Sequence, residues 1–198
     1  MNPLLHKLHP YPFQKFGKIL AEIKPSQKHS LIRLSIGEPQ HETPKVILDA
    51  LSENLTDIAY YPTTQGSPEL RSTIKNWIEN RFGMTGIDPD KEILPVNGTR
   101  EALFALGQVV LPPNESDSVV VMPNPFYQIY EGAALLSGAT PKFLNLGSTE
   151  SQGWQLTQLP ANTWNHTKLL YVCNPGNPTG HVMPLSEWEE LFLSLIHI

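Results

Sequence analysis

Cysteine is all but missing: a single Cys173 among 198 residues allows no internal disulfide, which suits a reducing compartment. Charge is sparse and mildly negative, with 14 Lys and Arg against 19 Asp and Glu and a formal net charge of −5. With no basic excess and no Lys/Arg block, the chain lacks the field that gathers nucleic-acid phosphates, and nucleic acid is not expected as a partner. No run approaches the ~18 apolar residues that span a bilayer, and the opening MNPLLHKLHPYPF has neither the apolar core nor the cleavage site of a secretory signal. We therefore expect a soluble, cytoplasmic protein without membrane contact. Also missing are G-x-G-x-x-G and G-x-x-x-x-G-K-S/T, which sets aside the dinucleotide and P-loop modes of phosphate binding. His6, His9, His29, His41, His166, His181 and His197 show no H-x-x-x-H spacing and no pairing with Cys173, so no metal site is expected. The N-x-S/T triplets at Asn54, Asn97, Asn114 and Asn165 read as chance matches in a chain that is not secreted.

What is present is a globular composition, 40% hydrophobic and 17% charged, with proline in abundance at 19 residues. Residues 1–30 read as a Pro-rich arm with a short amphipathic helix, Phe13, Phe16, Leu20 and Ile23 recurring at helical spacing; arms of this kind often pack on a partner subunit. Residues 31–36 read as a strand ended by Gly37-Glu38-Pro39, and residues 44–55 as a helix with Pro44 in its first turn. After the loop Tyr60-Tyr61-Pro62-Thr63-Thr64-Gln65-Gly66, Ser67 and Pro68 supply an N-cap and a first helical residue. From about residue 91 the pattern alternates: strand 92–96, helix 99–110, strand 118–122, helix 126–137, strands 141–146 and 168–173, helix from 185. Continuous apolar runs such as Val119-Val120-Val121-Met122 suit strands covered on both faces, hence a three-layer α/β class with a mostly parallel sheet. In such sheets ligands sit beyond the strands' carboxyl ends, so the loops after residues 96, 122 and 173 should converge. The last helical pattern stops at Leu195-Ile196-His197-Ile198 without a cap, and we expect a truncated chain.

Three loops carry chemistry. Val96-Asn97-Gly98-Thr99-Arg100-Glu101-Ala102-Leu103 leads from an expected strand into a helix through Gly and a capping Thr. The free N–H groups and positive end of a helix attract an anion, Gly98 permits close approach, and Thr99 and Arg100 add a hydroxyl and a charge. Ordinary helix capping accounts for the same residues. Pro123-Asn124-Pro125-Phe126-Tyr127-Gln128-Ile129-Tyr130 brings aromatic rings to that sheet edge, either to stack on a flat ligand or to fill the core. Asn174-Pro175-Gly176-Asn177-Pro178-Thr179-Gly180 is the most specific: its prolines stiffen the backbone, X-Pro bonds there are open to the cis form, and a rigid loop presents two amides. A plain structural loop explains the prolines but not the second amide. Glu38 and Glu42 fit either a cationic substrate end or solvated loop carboxylates.

In this order and spacing, VNGTREAL, PNPFYQIY and NPGNPTG resemble the class I/II aminotransferases of fold type I, over nearly the whole chain. The resemblance implies pyridoxal 5'-phosphate as cofactor, amino acids and 2-oxo acids as substrates, and a homodimer. It implies Gly98, Thr99 and Arg100 at the cofactor phosphate, Tyr127 stacked on the pyridine ring, and Asn177 on the 3'-oxygen. Tyr61 would reach the phosphate in the partner subunit, and Gly37 would lie beside the substrate carboxylate. Residues 1–55 would supply the arm and part of the small domain, and residues 56–198 an incomplete large domain of α/β/α layers. Such families carry the Schiff-base lysine, the acidic partner of the pyridine nitrogen and a substrate arginine after this loop. All ten lysines here, the last being Lys168, precede it, so no catalytic residue is assigned. Longer stretches, among them LSIGEPQHETP and YYPTTQGSPELR, resemble one biosynthetic branch of the family more closely than the rest.

Overall fold

The computed structural model describes residues 1–30, 32, 34–112, 115, 117–147 and 153–195. Leu31 and Arg33 of the expected 31–36 strand, Asn114 of one glycosylation-like triplet, and Ile196, His197 and Ile198 lie outside them. The chain forms two compact units, Met1–Pro10 with Val96–Ile198, and Tyr11–Pro95. The Tyr11–Pro95 unit holds α1 (Pro12–Ala21), α2 (Lys45–Glu53) and α3 (Pro68–Phe82).

The larger unit is built on α4 (Thr99–Val110), β1 (Val119–Asn124), α5 (Ile129–Leu136), β2 (Thr140–Asn145), α6 (Ala161–Asn165), β3 (Thr167–Leu170) and α7 (Leu185–Leu195). β1 is central in a parallel sheet of order β2-β1-β3, pairing from Val119 with Thr140 to Asn124 with Asn145 on one side. On the other it pairs Val120 with Leu169 and Val121 with Leu170 after a register shift beside Val119.

Successive strand side chains point to opposite faces, and β1 uses both. Val120 and Met122 pack with Leu111, Tyr130, Ala134 and Tyr171, backed by Leu103 of α4 and Ile129 of α5. Val119 and Val121 pack with Leu144, Trp154, Met183 and Leu191, backed by Trp188 of α7. Two cores on one strand make the three-layer class expected from the apolar run. On the first face α4 and α5 meet closely because Gly107 has no side chain; a Cβ there would stand 3.1 Å from that of Ala133. The 3-10 turn at Pro3–Lys7 joins this unit through Leu4, which lies near Gly138, and a His9–Glu131 contact of 3.9 Å.

In the Tyr11–Pro95 unit, Ser67 caps α3 as expected, its hydroxyl accepting from the Leu70 N–H at 3.2 Å, and Gly83 ends the helix at φ +65°. Arg71, 6% exposed, donates to the carbonyls of Gln65, Gly66 and Pro89 and to the Asp90 carboxylate.

Four sequence expectations are corrected. Residues 92–96 form no strand: Glu92 turns back to accept from the Asp88 N–H at 2.7 Å, and Pro95, without a donor, packs where a side chain on Gly66 would otherwise go. The second helix of the larger unit starts at Ile129 rather than 126, since Phe126 is drawn into a stack on Phe143 at 5.2 Å. The strand expected to reach 173 ends at Leu170; past it, Tyr171 still pairs, its N–H donating to Val121. Residues 35 and 36 form a bend, and no strand covers the described part of 31–36.

Candidate active site

The turn at Gly98 begins α4, but Thr99 does not cap it. Gly98 itself occupies the N-cap, with no side-chain hydrogen bond, and Thr99 is the first helical residue. The positive helix end is met instead by Glu101: its carboxylate lies 2.6 Å from where a Cβ on Gly98 would stand, and Arg100 donates to it at 3.0 and 3.1 Å. A hydrogen bond from the Glu101 backbone N–H, and then Arg100, hold this exposed carboxyl below the usual carboxylate range. An anion therefore already sits where the helix dipole and Arg100 favour one.

At the carboxyl end of β1, Asn124 donates to the Asn145 side chain at 2.7 Å, joining the ends of β1 and β2. The Asn124–Pro125 bond is cis, as are Asn174–Pro175 and Asn177–Pro178. Tyr127 is half-buried against the α4/α5 core, edge-on to Tyr130 with centroids 5.8 Å apart. Tyr130 lies nearly parallel on Tyr171 at 4.4 Å, and burial, followed by the neighbouring Cys173, pushes its phenol well above the usual value.

The loop after β3 is pinned by its own polar groups. The Gly176 N–H donates to the His181 carbonyl at 2.7 Å, and the Gly180 N–H to the Gly176 carbonyl at 2.7 Å. Gly180 has φ +71°, a conformation glycine adopts without strain. The two asparagine amides have separate employments. Asn174 Oδ1 accepts from the Met183 N–H at 2.9 Å and closes the loop. Asn177 is exposed and, among the described residues, its amide makes no hydrogen bond within the protein.

Asn177 lines a small recess, open to solvent, with Gly176, Thr179, His181 and Cys173 of its own loop, Pro123 and Pro125 at the end of β1, and Leu146 and Trp154. The structure thus brings the second and third loops together. No residue of 96–103 and not Tyr127 lines this recess. Tyr61 and Gly37 belong to the other compact unit, Tyr61 fully exposed and Gly37 with open space at its Cα.

Sequence reasoning does not find Trp154, His181 or Tyr171. For His181 the sequence offers one usable signal, its place directly after Thr-Gly, which a test of metal-ligand spacing passes over. Trp154 reaches the recess through the isolated bridge of Leu146 with residue 154, for which the sequence carries no marker. Tyr171 ties β3 to α4 by donating to the Leu103 carbonyl at 2.7 Å.

A sequence model of the family described as aminotransferase class I and II matches residues 29–195. An LL-diaminopimelate aminotransferase of Dehalococcoides mccartyi is 33% identical over 193 residues, 96% of this chain and 48% of that protein. The crystal structure of an aminotransferase from Neisseria meningitidis Z2491 is 44% identical with a TM-score of 0.91, over 98% of this chain and 49% of that one. The structure of N-succinyldiaminopimelate aminotransferase from Mycobacterium tuberculosis is 27% identical with a TM-score of 0.70, over 82% of this chain and 42% of that one. The chain spans about half the length of the curated relatives it matches.

Proposed function

The chain belongs to the class I and II aminotransferases, and from that premise we propose that it forms the cofactor-cradling part of a pyridoxal 5'-phosphate-dependent transaminase acting in the cytoplasm as a homodimer. In the whole enzyme, residues 1–55 form the arm and part of the small domain and residues 56–198 part of the large, cofactor-binding domain. The observation that carries the reading is the unengaged amide of Asn177, held in a rigid loop over a recess at the sheet's carboxyl edge.

The residues present fit this cofactor. Asn177 supplies a donor suited to the 3'-oxygen, where an amide stabilises the oxyanion. Gly98, Thr99 and Arg100 supply backbone N–H groups, a hydroxyl and a cation suited to its phosphate, with Glu101 yielding the place its carboxylate now fills. Tyr127 offers a ring to stack on the pyridine, Tyr61 serves the phosphate of the partner subunit, and Gly37 lies beside the substrate carboxylate. When bound, the cofactor supplies a conjugated ring that accepts the electrons of a carbanion at the substrate α-carbon. Families of this kind carry the Schiff-base lysine, the acidic partner of the ring nitrogen and the substrate arginine after such a loop, and none of these roles is assigned to a residue of this chain.

For the substrate pair we propose transfer of the amino group of glutamate to N-succinyl-2-amino-6-oxopimelate, giving N-succinyl-LL-2,6-diaminopimelate and 2-oxoglutarate by a ping-pong cycle in lysine biosynthesis. The longer similar stretches and the M. tuberculosis structure support it. A second reading, with LL-diaminopimelate as the amino donor, is supported by the D. mccartyi relative. A coupled assay of the full-length enzyme against glutamate, aspartate, alanine, LL-diaminopimelate and N-succinyl-LL-diaminopimelate separates them. Turnover of the succinylated substrate at least tenfold above LL-diaminopimelate supports the first pair, and the reverse order overturns it.

A further inference from the structure

We infer that His181 and Glu187 are positioning residues: they lock the exit of the Asn174–Gly180 loop to α7 and thereby hold the amide of Asn177 in place. This rests on the reading of Asn177 as the donor to the cofactor's 3'-oxygen.

The pair is close and sheltered. His181 Nε2 stands 3.0 Å from Glu187 Oε2, with the two side chains 13% and 15% exposed. With Glu187 ionised the imidazole nitrogen is the donor, and partial burial strengthens such a charge-assisted bond over one in open solvent. Each partner is fixed on its own side. The backbone of His181 closes the loop, its carbonyl accepting from Gly176 and its N–H donating to Thr179 Oγ1 at 3.3 Å. Glu187 sits in the first turn of α7, where the helix dipole favours a carboxylate. Its Oε1 lies over Gly153, so a side chain there would have to displace the carboxylate. α7 is itself seated on the sheet by Leu191, 2% exposed among Val121, Leu144 and Met183.

A rigid path therefore runs from the sheet through α7, Glu187 and His181 to Gly176 and Thr179, which flank Asn177 on either side. Asn174 makes the second tie, to Met183. Asn177 has no tie of its own, so its pose depends on these two. An amide that must meet an oxyanion at hydrogen-bond distance loses most of its effect when its loop drifts by an ångström.

The test uses the full-length enzyme with H181A, H181Q, E187Q and, as reference, N177A. In the cofactor-free form, H181A is expected to speed amide hydrogen exchange of Gly176 and Gly180 at least tenfold while Val120 and Met122 stay unchanged. E187Q is expected to do so more weakly, and H181Q, which keeps a donor for Glu187, to restore most of the protection. In the loaded enzyme, H181A is expected to move the pH midpoint of the cofactor's visible absorbance in the same direction as N177A, by a smaller amount. Loop exchange within twofold of the parent in both H181A and E187Q overturns the inference. So does an N177A that moves the absorbance midpoint while H181A leaves it in place. If N177A moves nothing, the reading of Asn177 falls and the inference that rests on it falls too, whatever the exchange shows.

Discussion

Tyr171 donates its phenolic hydrogen to the carbonyl oxygen of Leu103 at 2.7 Å, across 68 residues of sequence. The bond joins the residue following β3, three positions before Asn174, to the second turn of the helix that opens at Gly98. It is a direct polar link between α4 and the end of β3, after which the Asn174–Gly180 loop begins.

Replacing that phenol tests the link. Tyr171→Phe keeps the stack on Tyr130 and removes only the donor, so a loss of about 1 kcal/mol is expected, the usual net worth of a buried hydrogen bond. Urea unfolding should show a lower midpoint at an unchanged slope. A changed slope would mean that the variant alters compactness rather than one bond.

Gly107 should tolerate no large side chain. A Cβ at this position would meet Ala133 Cβ at 3.1 Å and the Tyr171 hydroxyl at 3.4 Å, so Gly107→Leu must push α4 from α5. Overpacking of this kind costs about 1–3 kcal/mol, against which the better helix propensity of leucine returns less than ~1. Thermal melting of the variant should fall accordingly, whereas leucine at exposed Val109 should leave it nearly unchanged.

Arg71 and Asp90 form an ion pair at 2.7 Å, yet their side chains are 7% and 72% exposed. The two halves should therefore be unequal. Asp90→Asn is expected to cost under ~1 kcal/mol, since the exposed carboxylate is readily replaced by water. Arg71→Leu strands the carbonyls of Gln65, Gly66 and Pro89 and is expected to cost about 2–4 kcal/mol. Equal losses, measured by denaturant titration, would contradict the burial argument.

High pH should weaken the unit that contains the sheet. Burial, then Cys173, raises the Tyr130 phenol, and burial raises that of Tyr171. A raised folded value contributes stability that is complete below the unfolded pKa of about 10 and is lost as pH climbs toward the folded value. Unfolding midpoints measured from pH 8 to 11 should fall above about 10. Tyr130→Phe, whatever it costs at neutral pH, should make that decline shallower.

Several elements are legible in the sequence because their cause is local. The extent of α4, Thr99–Val110, agrees with its apolar periodicity, and the start of α3 follows from Ser67 accepting the Leu70 N–H with Pro68 behind it. The apolar run at Val119–Met122 marks a strand covered on both faces. The failures have tertiary causes. Residues 92–96 read as a strand by composition, but a strand needs a neighbour, and Pro95 packs at Gly66 instead. Phe126 fits a helix by position, and the stack on Phe143 holds it outside one.

The sequence by itself determined the class and the family, because strand and helix periods and the order of three motifs are written in consecutive residues. The tertiary structure alone decided the division of labour between the two asparagines, one spent on Met183 and the other left facing the recess. It alone showed Glu101 rather than Thr99 at the mouth of α4, and His181 meeting Glu187. These outcomes depend on which side chains packing brings within about 3 Å of one another, and hydrogen bonds with so short a reach leave no periodic trace in the sequence.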